Sequence, residues 1–349
     1  FVLTPVNYKK EVFMRQLQTI DAETLLSTPL PVTKFIVEEL LPEGLHILAG
    51  APKIGKSWLA LWICLQVSKG EPVWELPTAR GTVLYLCLED SYIRIQNRLF
   101  QLTDTAPSTL HFANLSGRIG DGLENQITAF LSEHPTTSLV VIDTLQKIRG
   151  ILPDPNSYAC DYRDLSSLKN LADSYHIAIL LIHHLRKMQD SDPMNMISGT
   201  TGISGATDSN FVLKRKDRNS PHAELHCTGR DIESRVLELC FQKETHTWEL
   251  SQPIESEKSA ADPELLFLSE FLKRLYTFTG TATELSVLLE LETGETVSPS
   301  VLSKKLAKHA SGLDKFGICV SASRTRNTRQ LHITCDSRDG SDGNDGKNG

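Results

Sequence analysis

Eight consecutive residues, Gly50-Ala51-Pro52-Lys53-Ile54-Gly55-Lys56-Ser57, hold two glycines, a lysine and a hydroxyl in the spacing G-x-x-x-x-G-K-[ST]. That spacing suits phosphate chemistry. Peptide N–H groups of a glycine loop that opens a helix can surround phosphate oxygens, helped by the helix dipole. Lys56 would reach the β- and γ-phosphates, Ser57 would hold Mg²⁺, and the nucleotide contact is expected to run on through Trp58. The competing reading is a chance match in a surface loop.

Further residues suited to chemistry end apolar runs. Asp143 follows Val140-Val141-Ile142, where a carboxylate would face the Mg²⁺ shell opposite Ser57. Glu89 and Asp90 follow Thr82 to Leu88, and either could orient and activate an attacking water or instead cap the next helix. Glu89 is the favoured base. His183 and His184 end Ile177 to Ile182 and alternate between faces. One can reach the nucleotide and report its γ-phosphate, and the other can be a packing histidine.

These residues need a scaffold that gathers strand ends. Leu45 to Ala49 reads as a buried strand before the glycine loop, and Trp58 to Val67 as a helix that is apolar almost all round. Continuous apolar strands alternating with helices (Tyr92 to Leu102, Tyr158 to Tyr175) predict an α/β fold with a mainly parallel sheet covered on both faces. Phe211-Val212-Leu213 is a fifth strand. Candidate antiparallel strands at Leu225-His226-Cys227, Val236 to Phe241 and Trp248-Glu249-Leu250 extend the edge. Ligands of such sheets sit at the carboxyl ends of the strands.

The flanks divide the chain. Residues 1–43 form a leader with a possible helix from Glu11 to Ile20, 44–250 the nucleotide core, 251–261 a polar linker, 262–335 a small domain, and 336–349 a Gly/Asp/Asn-rich tail expected to be disordered. The small domain reads as three helices, Asp262 to Tyr276, Glu284 to Leu291 capped by Thr283, and Ser298 to about His309. A strand pair follows around Ile318-Cys319-Val320 and Leu331-His332-Ile333. That pattern predicts a winged helix-turn-helix. From Ser298 to Cys335, seven cations (Lys304, Lys305, Lys308, Lys315, Arg324, Arg326, Arg329) face one acid, Asp314. A basic face of this kind suits duplex DNA, or alternatively a protein-docking surface.

Composition bounds the rest. With 349 residues, 40% hydrophobic and 23% charged, the chain has the make-up of a globular protein of one or two domains. No apolar run is long enough to span a bilayer, no signal peptide is evident, and no membrane partner is expected. The net charge of −7 argues against a wholly basic nucleic-acid binder. The seven scattered cysteines form no C-x-x-C pair, which suits free thiols in a reducing, cytoplasmic setting.

Taken together, Ala49 to Ser57, Leu88-Glu89-Asp90-Ser91, Val141-Ile142-Asp143-Thr144, His183 to Lys187 and Ser198-Gly199-Thr200 resemble the RecA-like core of hexameric helicases, closest to RepA-type plasmid replication ATPases. The resemblance spans about Leu30 to Leu250. It implies ATP sites between the subunits of a ring, a hexamer, with single-stranded DNA threaded through the centre. It favours Glu89 as the base and His184 as the γ-phosphate sensor, and gives the loop Lys187 to Gly205 to the DNA channel. Relatives place a trans-acting arginine after a strand like Leu225 to Gly229, which makes Arg230 the expected finger and Arg215 and Arg218 its rivals. The lysine usual two residues earlier in some relatives is Thr228 here. The expected function is ATP hydrolysis, Mg²⁺-dependent, coupled to DNA unwinding or translocation in replication of a plasmid or mobile element. The alternatives are an ATP-switched DNA-binding regulator or loader, and a signalling ATPase of the circadian-clock type.

Overall fold

The structure is a computed structural model that describes residues 19–30, 33–150, 158–186, 190–197, 201–215, 217, 220–254, 262–324 and 329–336. Several expectations fall outside these residues: most of the helix from Glu11, most of the linker, the tail beyond Asp336, Lys187, Ser198-Gly199-Thr200, Arg218, Arg326, and the side chains of Arg324 and Cys160. The chain divides into two units, Thr33–Ser256 and the combination of Phe1–Val32 with Glu257–Gly349.

Among the described residues, the main sheet of the first unit has nine strands: β1 (Gly44–Gly50), β2 (Thr82–Cys87), β3 (Leu110–Ala113), β4 (Thr137–Asp143), β5 (Ala178–His184), β6 (Ser209–Lys214), β7 (His222–Gly229), β8 (Arg235–Phe241) and β9 (Trp248–Leu250). Their order across the sheet is β9-β8-β7-β6-β1-β5-β4-β2-β3. From β6 to β3 all pairings are parallel, and β7, β8 and β9 extend the edge antiparallel. Every residue of β1 is buried, because helices cover both faces of this central strand. Helix α2 (Lys56–Lys69) packs beneath one face through Leu59, Ile63 and Val67. It stops where Gly70 takes φ 75° and returns its N–H to Gln66 and Val67. Helix α3 (Tyr92–Leu102) follows β2, with Ile95 buried. Helices α4 (Leu123–Glu133) and α5 (Tyr158–Tyr175) contribute Ile127, Leu131, Leu165 and Leu168 to the second core.

This is an α/β fold with a mainly parallel sheet extended by antiparallel strands, as expected. The strand that ends in Asp143 is separated from the glycine-loop strand by β5, so the His183-His184 end lies between them. Strand β3 and helix α4 were not anticipated. β3 is a four-residue edge strand behind Pro107, while α4 did carry a signal in Leu123, Ile127 and Leu131 at helical spacing.

In the second unit, α6 (Pro263–Leu275), β10 (Thr277–Gly280), α7 (Ala282–Thr293), α8 (Pro299–Lys308), α9 (Ala310–Lys315), β11 (Ile318–Arg324) and β12 (Arg329–Cys335) enclose a core that includes Leu268, Phe271, Leu285, Leu302, Leu306 and Ile333. The strands lie in the order β10-β12-β11. Two expectations are corrected. The first helix ends at Leu275, because Tyr276 turns to φ 62° and β10 begins at Thr277. The cap of α7 is Thr281, not Thr283, in a reciprocal capping box with Glu284. The spacing Thr281-x-x-Glu284 is the signature of that box, so the signal was present.

The basic segment is also less free than its letters imply. Lys305, Lys308 and His309 converge on Glu264 at 2.9, 3.3 and 2.7 Å, tying the end of α8 to the start of α6. Lys305 first, then His309, hold the Glu264 carboxyl down to about 2. A short helix, α1 (Ala22–Ser27), packs on α8 in the same unit.

Candidate nucleotide-binding site

The glycine loop closes β1 and opens α2. Gly55 adopts φ 107°, and a Cβ there would come within 3.0 Å of the Trp248 indole, so both the turn and its neighbour require glycine. Ala51, Pro52 and Lys53 are exposed at the top of the loop, whereas Ile54 points inward and is buried. Lys56 is buried too, and its Nζ donates to the carbonyls of Gly50 (2.8 Å) and Ala51 (3.0 Å). Burial pushes its pKa down to about 8, against the pull of Asp143 and Glu89. Trp58 lies between the Arg98 guanidinium, 5.5 Å from its ring centre, and the His246 ring at 4.7 Å.

Asp143 ends β4 with 6% exposure. Its carboxylate accepts from the Tyr85 hydroxyl at 2.9 Å, and Ser57 is a second hydrogen-bond partner. Burial raises its pKa, and these two donors oppose the rise. The geometry separates the two rival acids. Asp90 is engaged by Arg94 (2.8 Å) and Arg98 (2.7 Å) and serves α3. Glu89 is exposed, and its Oε1 accepts from Thr144, the neighbour of Asp143, at 3.2 Å.

His184 pairs in register with Gly50 across β1 and β5, beside the first glycine of the loop, and among the described residues its buried Nδ1 has no hydrogen-bond partner. His183, one step back, is buried opposite Ala49. Lys56, Ser57, Glu89, Asp143 and His184 therefore sit at neighbouring carboxyl ends of β1, β2, β4 and β5.

Of the three arginines considered for a trans role, the two that are described stand at opposite ends of the sheet. Arg215 follows β6, which runs parallel to β1 with Leu213 beside Gly50, and its guanidinium lies 4.8 Å from the Trp248 ring centre. Arg230 follows β7, which returns, so Gly229 pairs with Ser209 at the amino end. There Arg230 is bonded to Asp208 (3.3 Å) and to the Gly205 carbonyl (3.5 Å).

Two residues at the site were not anticipated. Tyr85, on β2, holds Asp143. Trp248, on β9, is fully buried and donates its indole N–H to the Gly55 carbonyl at 3.2 Å, while Trp74 donates to the Trp248 carbonyl at 2.7 Å. Both contacts join segments distant in sequence, so no local spacing announces them. The pairing of a lone aromatic with a hydrophobic strand signals burial only.

Among curated proteins, none matches this sequence. Two solved structures are similar at 15% identity and a TM-score of 0.48 each: one described as an ATPase domain, the other as "The Structure Of A DnaB-Like Replicative Helicase And Its Interactions With Primase". Each alignment covers 59% of this chain, with 84% of the first structure's chain and 58% of the second's. The AAA domain family matches residues 11–190, just over half of the chain and the stretch that holds the glycine loop, Glu89, Asp143 and His184. The chain belongs to the AAA domain family.

Proposed function

We propose that this chain hydrolyses ATP with Mg²⁺ and couples the cycle to DNA, as a helicase or translocase in replication. The observation that carries the reading is the meeting of Lys56, Ser57, Asp143 and Glu89 at adjoining strand ends. A hydroxyl beside a buried carboxylate is a hard oxygen pair that fits Mg²⁺. Ser57 and Asp143 would hold the ion, whose charge would offset that of the phosphate oxygens when bound. The loop amides bind phosphate. Lys56, resting on the Gly50 and Ala51 carbonyls, exchanges those acceptors for phosphate oxygens. Glu89, oriented by Thr144, takes the proton of the attacking water. His184, beside Gly50, answers to the terminal phosphate.

Arg230 is assigned to a neighbouring subunit's nucleotide in a ring, a hexamer. Its place at the amino end of the sheet supports this, since it lies far from its own glycine loop. The second unit is read as a winged helix that binds duplex DNA. Its order of helix, strand, three helices and a closing hairpin supports this, with α8 as the recognition helix. A plasmid or other mobile element is the setting that the RepA-like motifs favour.

The test is ATP turnover with and without single- and double-stranded DNA, followed by strand displacement on a forked duplex. Stimulation with displacement supports the helicase. Stimulation without displacement makes the chain an ATP-switched loader or regulator. No DNA dependence refutes the coupling.

A further inference from the structure

The short N-terminal helix lies across the two elements that would present cations to DNA. Asp21 caps it by accepting from the Thr24 N–H at 2.8 Å. From its first turn, Glu23 pairs with Lys304 of α8 at 3.0 Å and accepts from Ser300 at 3.4 Å. At its other end, Arg329 of β12 donates to the Ser27 hydroxyl (2.7 Å) and to the Ser27 carbonyl (2.5 Å). The helix thus bridges α8 and the hairpin strand, holding a cation on each.

Val301, Lys304 and Lys308 lie along one side of α8 at helical spacing, while Leu302 and Leu306 face the core. A groove of about 620 Å³ runs beside α1, lined by Leu25, Leu26 and Leu30 on one side and Val301, Lys304 and Lys308 on the other. No residue of α1 is buried, and Leu26 is 61% exposed. A helix of six residues has no stability of its own; apart from Pro29, buried just beyond it, the segment is held by polar pairs that salt and competing anions weaken. The acceptors it offers, a carboxylate on Lys304 and a carbonyl with a hydroxyl on Arg329, are of the kind a phosphate backbone offers to the same cations.

We propose that residues 21–30 are a displaceable cover on the DNA-binding face, occupying Lys304 and Arg329 until duplex DNA takes them. The inference rests on the reading of α8 and β12 as the duplex-binding face. Covered and uncovered forms then share the population, and the measured affinity is lowered by the uncovered fraction.

The test uses the full chain. A carbodiimide joins Glu23 and Lys304, whose charged atoms are 3.0 Å apart, as an amide; the water lost is taken up as the urea by-product. Mass spectrometry of the digest reads that cross-link with and without a short duplex. In parallel, anisotropy of a labelled duplex across a salt series compares the native chain with the double variant Glu23→Ala, Leu26→Pro, which removes the ion pair and breaks the helix. The expected result is a Glu23–Lys304 cross-link in free protein that duplex suppresses, and a variant that binds duplex about tenfold more tightly. Absence of the cross-link in free protein, its persistence at saturating duplex, or unchanged or weaker binding by the variant overturns the cover and leaves the DNA reading standing. If neither protein binds duplex at low salt, the DNA reading of this face fails and the cover fails with it.

Discussion

Glu89 and Asp90 are adjacent carboxylates with opposite surroundings, and exchanging each for its amide tests the proposal that the first is the base and the second structural. Asp90 holds Arg94 at 2.8 Å and Arg98 at 2.7 Å. The Arg94 side chain is 64% exposed, so its pair contributes little. Arg98 is 18% exposed and also stacks over Trp58, so losing its carboxylate costs about 1.5 kcal/mol. In a unit of this size that is a fall of about 3–6 °C in Tm. Glu89 is exposed and makes one hydrogen bond, with Thr144 at 3.2 Å, so Glu89→Gln leaves Tm within about 1 °C. For turnover the order reverses. Glu89→Gln removes the proton acceptor and lowers kcat about a hundredfold or more, about 2.7 kcal/mol of barrier, while ATP binding persists. Asp90→Asn lowers kcat less than about fivefold. The assays are differential scanning fluorimetry, binding of a fluorescent ATP analogue with Mg²⁺, and steady-state phosphate release. Near-normal turnover in Glu89→Gln, with a deep loss in Asp90→Asn, would refute the assignment and move the base to Asp90.

Lys56, pushed down to about 8 by burial, must be charged to meet phosphate, so kcat/KM for ATP should fall about tenfold per pH unit above that value while kcat holds. A kcat/KM that stays level to about pH 10 would contradict this. Trp248→Phe keeps a ring against Gly55 but loses the N–H on its carbonyl; ATP affinity by titration calorimetry should drop about threefold to tenfold, and an unchanged value would count against the buttress. Mixing Arg230→Ala with Lys56→Ala protein should restore turnover at mixed interfaces, and its absence despite demonstrated mixed assembly would exclude the trans role. Glu264→Gln should lower the Tm of the second unit at neutral pH and match the native chain in acid. A carboxyl held down to about 2 gives stability that is full above its ordinary range near 4.5 and is lost as pH falls toward 2.

The glycine loop, Asp143 and the paired strand-end residues were legible because their chemistry is written in local spacing. A loop of eight residues, or an acid at the end of an apolar run, needs no knowledge of the rest of the chain. The contacts that steady these residues were not legible. Tyr85 reaches Asp143 across 58 positions, and Trp74 reaches Trp248 across 174. The cation count from Ser298 to Cys335 misled for the same reason. Glu23 engages α8 from 277 positions away and Arg329 reaches back 302 to Ser27, so a net charge over a window overstates what the folded surface offers.

Strand direction decides what an arginine after a strand can do, and direction is a property of the sheet. Arg215 and Arg230 look alike in sequence, each following a strand. β6 runs with β1, so its end arrives beside Gly50 and leaves Arg215 against Trp248, at its own chain's phosphate loop. β7 runs against it, so Arg230 emerges beside Asp208, whose N–H donates to the Leu45 carbonyl at the other end of β1. The five strand steps from Leu45 to Gly50 span about 17 Å, longer than an arginine side chain. A phosphate met by Arg230 would therefore belong to another copy, whereas Arg215 lies beside its own chain's loop. The two substitutions differ accordingly in a mixing experiment. Arg230→Ala should be complemented by a Lys56→Ala partner, and Arg215→Ala, which damages the same subunit's site as Lys56→Ala, should not.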